Sequence, residues 1–247
     1  MSVPDHATER PDGRQARWDR HNHERHRHIV AAAIAVIEEN EPGTHIHLQQ
    51  IADRAGLTRS VIYRHFTDRA ELDRAVLTAV VDSLADELLP AVTLDGTIPD
   101  IVERVVSRYV GWAVAHPSLH RLAESDPVTR TASPLQRGLE RISEQVASVV
   151  VTALDTLGVP LRDEERAMID PLAFGLVGAV FSAVRRWLVL GEDQPPAPVL
   201  VTSLSDSVWY LLKGHAHSLG VDLRRDQPVQ ALLEQASLAA AGPPGPA

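Results

Sequence analysis

The stretch IADRAGLTRSVIYRHF, Ile51 to Phe66, pinches two short apolar-patterned segments around one glycine. Leu48, Ile51, Ala52 and Ala55 share one face of a two-turn helix. Gly56 is placed to end it, because glycine enters the left-handed conformation without a steric penalty. Thr58, whose hydroxyl can accept from an early backbone N–H, then opens a second helix with Leu57, Val61, Ile62 and Phe66 pointing inward. Helices this short bury little by themselves and need a third behind them. The segment from about His23 to Glu39 supplies it, with Ile29, Ala32, Ala33, Val36 and Ile37 at three- and four-residue steps and Pro42-Gly43 as its stop. The outer face of the second short helix is left with Arg59, Ser60, Arg64 and His65, all able to hydrogen-bond to nucleic acid.

The rest of the chain is helical in pattern. Asp68 is placed to cap a helix running to about Leu89, and Pro90 with LDGTIPD breaks the chain. Ile98 to Ala115 follows, then His116-Pro117 and a short SLHRLAES turn. Leu135 to Leu157, Glu164 to Leu190 and Pro198 to Leu219 are the longest stretches, Pro171 lies inside the middle one, and Gln227 to Ala240 closes the series. Alternating β-branched runs are missing, so the fold class is all-α: a three-helix head with a larger helical body. The expected divisions are a disordered basic arm over 1–22, a helix-turn-helix domain over 23–90, a larger helical domain over 91–240, and a disordered tail over 241–247.

Charge sharpens this division. The formal net charge is -9, yet residues 1–75 hold 11 arginines against 12 acids, which leaves 13 basic and 21 acidic residues for the remainder. Arg10, Arg14, Arg17, Arg20, Arg25 and Arg27 precede or open the first helix. The chain has no cysteine, which excludes disulfides and thiolate chemistry and fits a reducing compartment. No run of about 18 residues is free of both charge and proline. A cytoplasmic protein without a membrane partner is the expectation.

The segment IADRAGLTRSVIYRHFTDRAELDRAVL resembles the N-terminal domain of the TetR family of transcriptional regulators, over about Ile29 to Leu77. The shared pattern is an Ile-Ala-x-x-Ala-Gly helix, a Ser/Thr-initiated recognition helix ending in Tyr-x-His/Tyr-Phe, and a basic residue opening the next helix. Thr58, Tyr63, His65, Phe66 and Arg69 stand in those places, whereas His47 replaces a threonine that often caps the first helix of the pair. The resemblance implies that Thr58, Tyr63, His65 and Arg69 grip phosphates of a double-stranded DNA operator, while Arg59 and Ser60 face base edges and Arg64 lies beside them. It further implies a homodimer and a small apolar effector, with no cofactor and no enzymatic activity; repression is the expected mode.

In the body, Tyr109, Trp112, Leu119, Met168, Phe174 and Phe181 are candidates to line an apolar effector cavity. Gly175 and Gly178 each weaken an isolated helix by about 1 kcal/mol, which suggests close approach of another backbone. Together with Phe181, Val208, Trp209 and Leu212 they are the candidate dimer face. The histidines of HNHERHRH, and the pairs His116/His120 and His215/His217, favour adventitious metal binding over a functional metal site. Two rival readings are a small all-α enzyme using His116, His120, Glu124 or Asp126, and a helical adaptor that keeps the head without binding DNA. No nucleophile motif or glycine-rich phosphate loop accompanies the former.

Overall fold

The computed structural model describes residues 13–124 and 133–241. The first half of the basic arm, the loop containing Asp126 and residues 242–247 lie outside the described residues. Ten α-helices account for the described chain: α1 (Gly13–Glu38), α2 (Leu48–Ala55), α3 (Arg59–His65), α4 (Arg69–Leu88), α5 (Ile98–Ala115), α6 (Pro117–Glu124), α7 (Pro134–Thr156), α8 (Asp163–Leu188), α9 (Ala197–Ser218) and α10 (Val229–Ala241). Among the described residues there is no strand, only an isolated antiparallel bridge between Thr97 and Pro228. The fold is all-α.

The chain divides into two compact units between Ala79 and Val80. The division falls inside α4, some ten residues before the Pro90 break that the sequence suggests. In the first unit, Ile29, Ala33, Val36, Ile51, Ala52, Ile62, Phe66, Leu72 and Val76 form the core. Phe66, Ile62 and Leu72 are each about 1% exposed, worth roughly 1.5–3 kcal/mol apiece in transfer energy. In the second unit, α7 packs mainly with α8 and α5 with α9.

Two local differences from the sequence reading have simple causes. α1 begins at Gly13 rather than near His23. The intervening residues are mostly arginine, glutamine, histidine and alanine, none of which breaks a helix, and helical hydrogen bonds need no burial. SLHRLAES is not a turn: Pro117 opens α6, since a first-turn proline lacks only a donor that would be unused there. Close approach in the second unit is shown at Gly138, where an added Cβ would lie 2.0 Å from Val81 Cγ1. Arg141 reinforces that contact by pairing with Asp86 at 2.8 Å and Asp82 at 3.4 Å.

Candidate functional site

The placement of α3 follows from how its neighbours end. Gly56 sits at φ 63°, and the N–H groups of Gly56 and Leu57 reach back to the carbonyls of Asp53 and Ala52 at 3.2 and 2.9 Å, closing α2 and turning the chain sharply. At the other end of α2, the Gln50 side chain accepts from the His47 backbone N–H at 2.7 Å, so this start tolerates histidine where a threonine often stands. Thr58 is extended at φ -92° and ψ 155°, and its carbonyl accepts from Val61 and Ile62. Its side chain makes no capping bond, contrary to expectation, and the residue is exposed. Asp68 does cap α4: its carboxylate accepts from Glu71 N–H at 2.7 Å, while Glu71 accepts from Thr67 N–H at 2.5 Å.

With Ile62 and Phe66 locked inward, helical periodicity turns the other face of α3 to solvent. Arg59, Ser60, Tyr63 and Arg64 are exposed, Tyr63 to 51%, and α3 holds two arginines and no acid. His65 is half-buried. Arg69 is half-buried too and already occupied: Nη1 donates to Ile46 carbonyl at 2.9 Å and Nε to Asp73 at 2.7 Å. A guanidinium has five donors, so it can brace the loop before α2 and still offer N–H groups outward. Thr58, Arg59, Ser60, Tyr63, Arg64 and His65 thus lie along one short helix and its cap, with Arg69 beginning the next.

Residues 29–76 match the family profile of bacterial regulatory proteins, tetR family. The head of the chain is that of a tetR-family regulatory protein. The chain is 25% identical over 229 residues to an uncharacterized HTH-type transcriptional regulator of Mycobacterium tuberculosis, covering 90% of this chain and 92% of the relative. The HTH-type transcriptional activator FasR of Mycolicibacterium smegmatis is 28% identical over 189 residues, covering 75% of this chain and 82% of FasR. A tetR-family transcriptional regulator from Streptomyces coelicolor superposes with a TM-score of 0.60 at 21% identity, over 88% of this chain and 89% of that one. α3 lies inside the matched residues, and the relatives are regulators rather than enzymes.

The body of this regulator places the effector candidates in three different settings. Tyr109, Leu119 and Phe181 are buried. Trp112 and Phe174 are half-buried, Trp112 lying 5.3 Å from the His116 ring, and Met168 is 51% exposed on α8. Two of the buried three, Tyr109 and Phe181, belong to or stack on a polar chain that their sequence spacing does not reveal. Tyr109 hydroxyl lies 2.9 Å from His120 Nε2, and His120 Nδ1 lies 3.1 Å from Glu124 Oε1. Phe181 stacks on both rings, at 6.1 Å from Tyr109 and 5.5 Å from His120.

His120 is 1% exposed, and Glu124 pairs with Arg121 at 2.9 Å. Burial holds the His120 imidazole below its usual range despite Glu124, with Arg185 acting in the same direction as burial. Burial likewise pushes the Tyr109 phenol up, aided by the Glu124 charge. The neutral tautomer with Nδ1–H donating to Glu124 leaves Nε2 to accept from Tyr109, which satisfies all three groups. The one sequence signal for this chain is the four-residue step from His120 to Glu124 on a helix with buried Leu119 and Ala123. A separate open depression of roughly 460 Å³ is lined by Val114, Pro117, Trp187, Leu188 and Gln194 through Ala197; it includes none of the effector candidates.

The candidate dimer residues divide as well. Phe181, Val208 and Trp209 are buried inside the protomer, at 9%, 7% and 2% exposure. Leu212 and Gly178 are half-buried and Gly175 is exposed. The reason is angular: successive residues of a helix differ by about 100°, so turning Trp209 toward α5 sends Tyr210 and Leu211 outward. On these two helices, the large apolar groups left in solvent among the described residues are Met168 and Leu172 on α8, and Val199, Tyr210 and Leu211 on α9.

Proposed function

We propose that this chain is a homodimeric, ligand-responsive regulator that reads a pseudo-palindromic operator with one α3 per half-site. The observation that carries the reading is the polarity of α3: Ile62 and Phe66 anchor it, while Thr58, Arg59, Ser60, Tyr63 and Arg64 stay outward on a helix without acids. Arg59 is assigned to base edges with Ser60. Thr58, Tyr63, His65 and Arg69 are assigned to phosphates, which give salt-dependent affinity without sequence information. Residues 23–90 would act as the DNA-binding domain and 91–240 as the effector-binding and dimerisation domain, in the cytoplasm where the duplex is.

Dimerisation is supported by α8. Eighteen consecutive residues within it reach a mean hydropathy of 1.8, enough to cross a membrane by composition, and 11% of that window is buried. An added Cβ at Gly175 or Gly178 meets nothing within 4 Å in the protomer, so packing within one chain does not account for these glycines. A second copy does, because small residues let two helix backbones approach, and a two-fold pair covers the same face twice. Asp170 and Pro171 within α8 suit a protein partner better than lipid.

A small apolar effector held in the body near Tyr109, Leu119 and Phe181, with Trp112 and Phe174 at the margin, would act by preferring one of two dimer states. Linkage then requires that an effector which weakens operator binding bind less well to the DNA complex, with a coupling of about 1–3 kcal/mol. We read the chain as a repressor. The activator FasR supports a second reading, in which the same dimer recruits transcription. Polarisation binding to the gene's own upstream region, followed by reporter output with the gene deleted, tests both. Salt-sensitive, sequence-selective binding is expected; its failure on every upstream duplex overturns the DNA-reading assignment, and loss of reporter output on deletion selects the activator.

A further inference from the structure

The carboxyl end of α3 meets α1 in a cluster that packing alone does not require. The His26 ring lies over Phe66 with centroids 4.4 Å apart, and His28 Nε2 lies 2.9 Å from the Ala55 carbonyl. This part of α1 therefore rests against both short helices of the pair. One turn closer to the amino terminus, His21 and Arg25 are four residues apart and so share a helix face. His21 is exposed and Arg25 half-buried.

The charges that act on the half-buried His65 come from Arg25 and His21 on α1 and from Arg64 on α3. His26 is acted on by His23 and His65, with Glu71 of α4 as the opposing acid. An isolated group of like charges is unfavourable, and a polyanion relieves it.

We propose that His21 and Arg25 extend the duplex-contacting face from α3 onto α1, and that with His65 they form a phosphate-binding surface that takes up protons as DNA docks. The proposal rests on the reading of the head as a DNA-binding domain, and adds to it a second helix and a proton linkage. Its physical basis is a change of sign in the local field. In the free head, burial first, then Arg25, Arg64 and His21, hold the His65 imidazole below its ordinary value. A phosphate on this surface replaces repulsion with attraction, so the bound form holds its proton to higher pH. Because the complex binds more protons than the free protein in that window, affinity rises as pH falls through it. The rise ends once free and bound forms are both protonated.

The test is fluorescence polarisation of the full chain on a labelled mixed-sequence duplex of about 30 base pairs, between about pH 8 and pH 6 at fixed ionic strength. Wild-type affinity is expected to rise roughly five- to tenfold on acidification, the size expected for uptake of about one proton over part of that window. The His21→Gln/His65→Gln double variant is expected to lose most of this dependence. His215→Gln/His217→Gln, which removes two histidines of α9, controls for general charge and is expected to keep the wild-type profile.

Arg25→Ala is expected to lower the slope of log affinity against log salt by about one, and Arg25→Lys to restore it. A wild-type pH profile in His21→Gln/His65→Gln, or an unchanged salt slope in Arg25→Ala, overturns this proposal alone. Absence of binding to any duplex at any pH overturns it together with the DNA-reading assignment. Thermal unfolding of each variant separates loss of contact from loss of fold: a variant that has lost the fold is replaced by the single His65→Asn substitution, for which an unchanged pH profile likewise overturns the proposal.

Discussion

α3 and α8 both turn a face to solvent, and the two faces have opposite chemistry. α3 is seven residues long and shows Arg59, Ser60, Tyr63 and Arg64. α8 is 26 residues long and shows Met168, Leu172 and Gly175. A polar face stays hydrated in the free protein and exchanges that water for phosphate and base contacts, so its affinity is tuned by salt and sequence. An apolar face gains from any covering surface, so its specificity has to come from shape, for which the open space over Gly175 and Gly178 leaves room. Exposure by itself identifies a surface, and the kind of group exposed identifies its partner.

The comparison is most directly broken on α8. Leu172→Glu places a charge on the proposed two-fold face, and the dimer dissociation constant is expected to rise by about 100-fold or more, read by sedimentation. A change of less than about threefold would remove α8 from the interface. Next in size is a packing contrast: Gly138→Ala drives a methyl into Val81 and is expected to destabilise the protein by about 1–3 kcal/mol in urea unfolding, whereas Gly175→Ala, with nothing near its Cβ, should leave monomer stability unharmed. The difference between these two glycines sharpens the claim that one serves the protomer and the other its partner.

On the polar side, Arg59→Ala is expected to cost about 1–3 kcal/mol on the operator while leaving mixed-sequence affinity nearly unchanged, whereas Arg64→Ala should weaken both alike. Equal losses in the two variants would move Arg59 from base reading to phosphate contact. The smallest effect concerns the buried histidine. His120 is held below its unfolded value of 6.5, so the folded state binds fewer protons than the unfolded state beneath that pH. Stability should therefore be full above about pH 6.5 and decline as pH falls toward the folded value, and His120→Gln should flatten that decline. His26 and His65 are lowered too and contribute with the same sign, so the measure is the difference between wild type and variant.

Legibility in the sequence followed the locality of the forces. α2 and α3 could be placed to within a residue because their ends depend on Gly56 and Thr58, whose effects act within a turn. α5, from Ile98 to Ala115, was equally readable, since Thr97 and Asp100 close its start locally at 2.7 Å and Pro117 follows its end. α6 was not, because a proline after a helix reads as a stop although it also opens the next helix. In the body the sequence offered a set of large apolar residues, of which Tyr109, Leu119 and Phe181 are buried and Met168 is exposed. The hydrogen-bonded chain through His120 was not legible, since Tyr109 and His120 are on different helices and their 2.9 Å contact depends on how α5 and α6 pack.

Periodicity, a left-handed glycine and helix-starting residues act over a few positions, so the amino-acid order alone determined the helical class, the helix-turn-helix and the outward polar face of α3. Which side of a long helix is claimed by its own chain depends on where the other helices lie. Only the tertiary structure could decide that Trp209 turns inward while Tyr210 turns outward, that an added Cβ would meet Val81 at Gly138 and open space at Gly175, and that a histidine and a glutamate share a buried hydrogen bond. Burial is a collective property of packed elements, and a one-dimensional pattern specifies only the surface each element has available to bury.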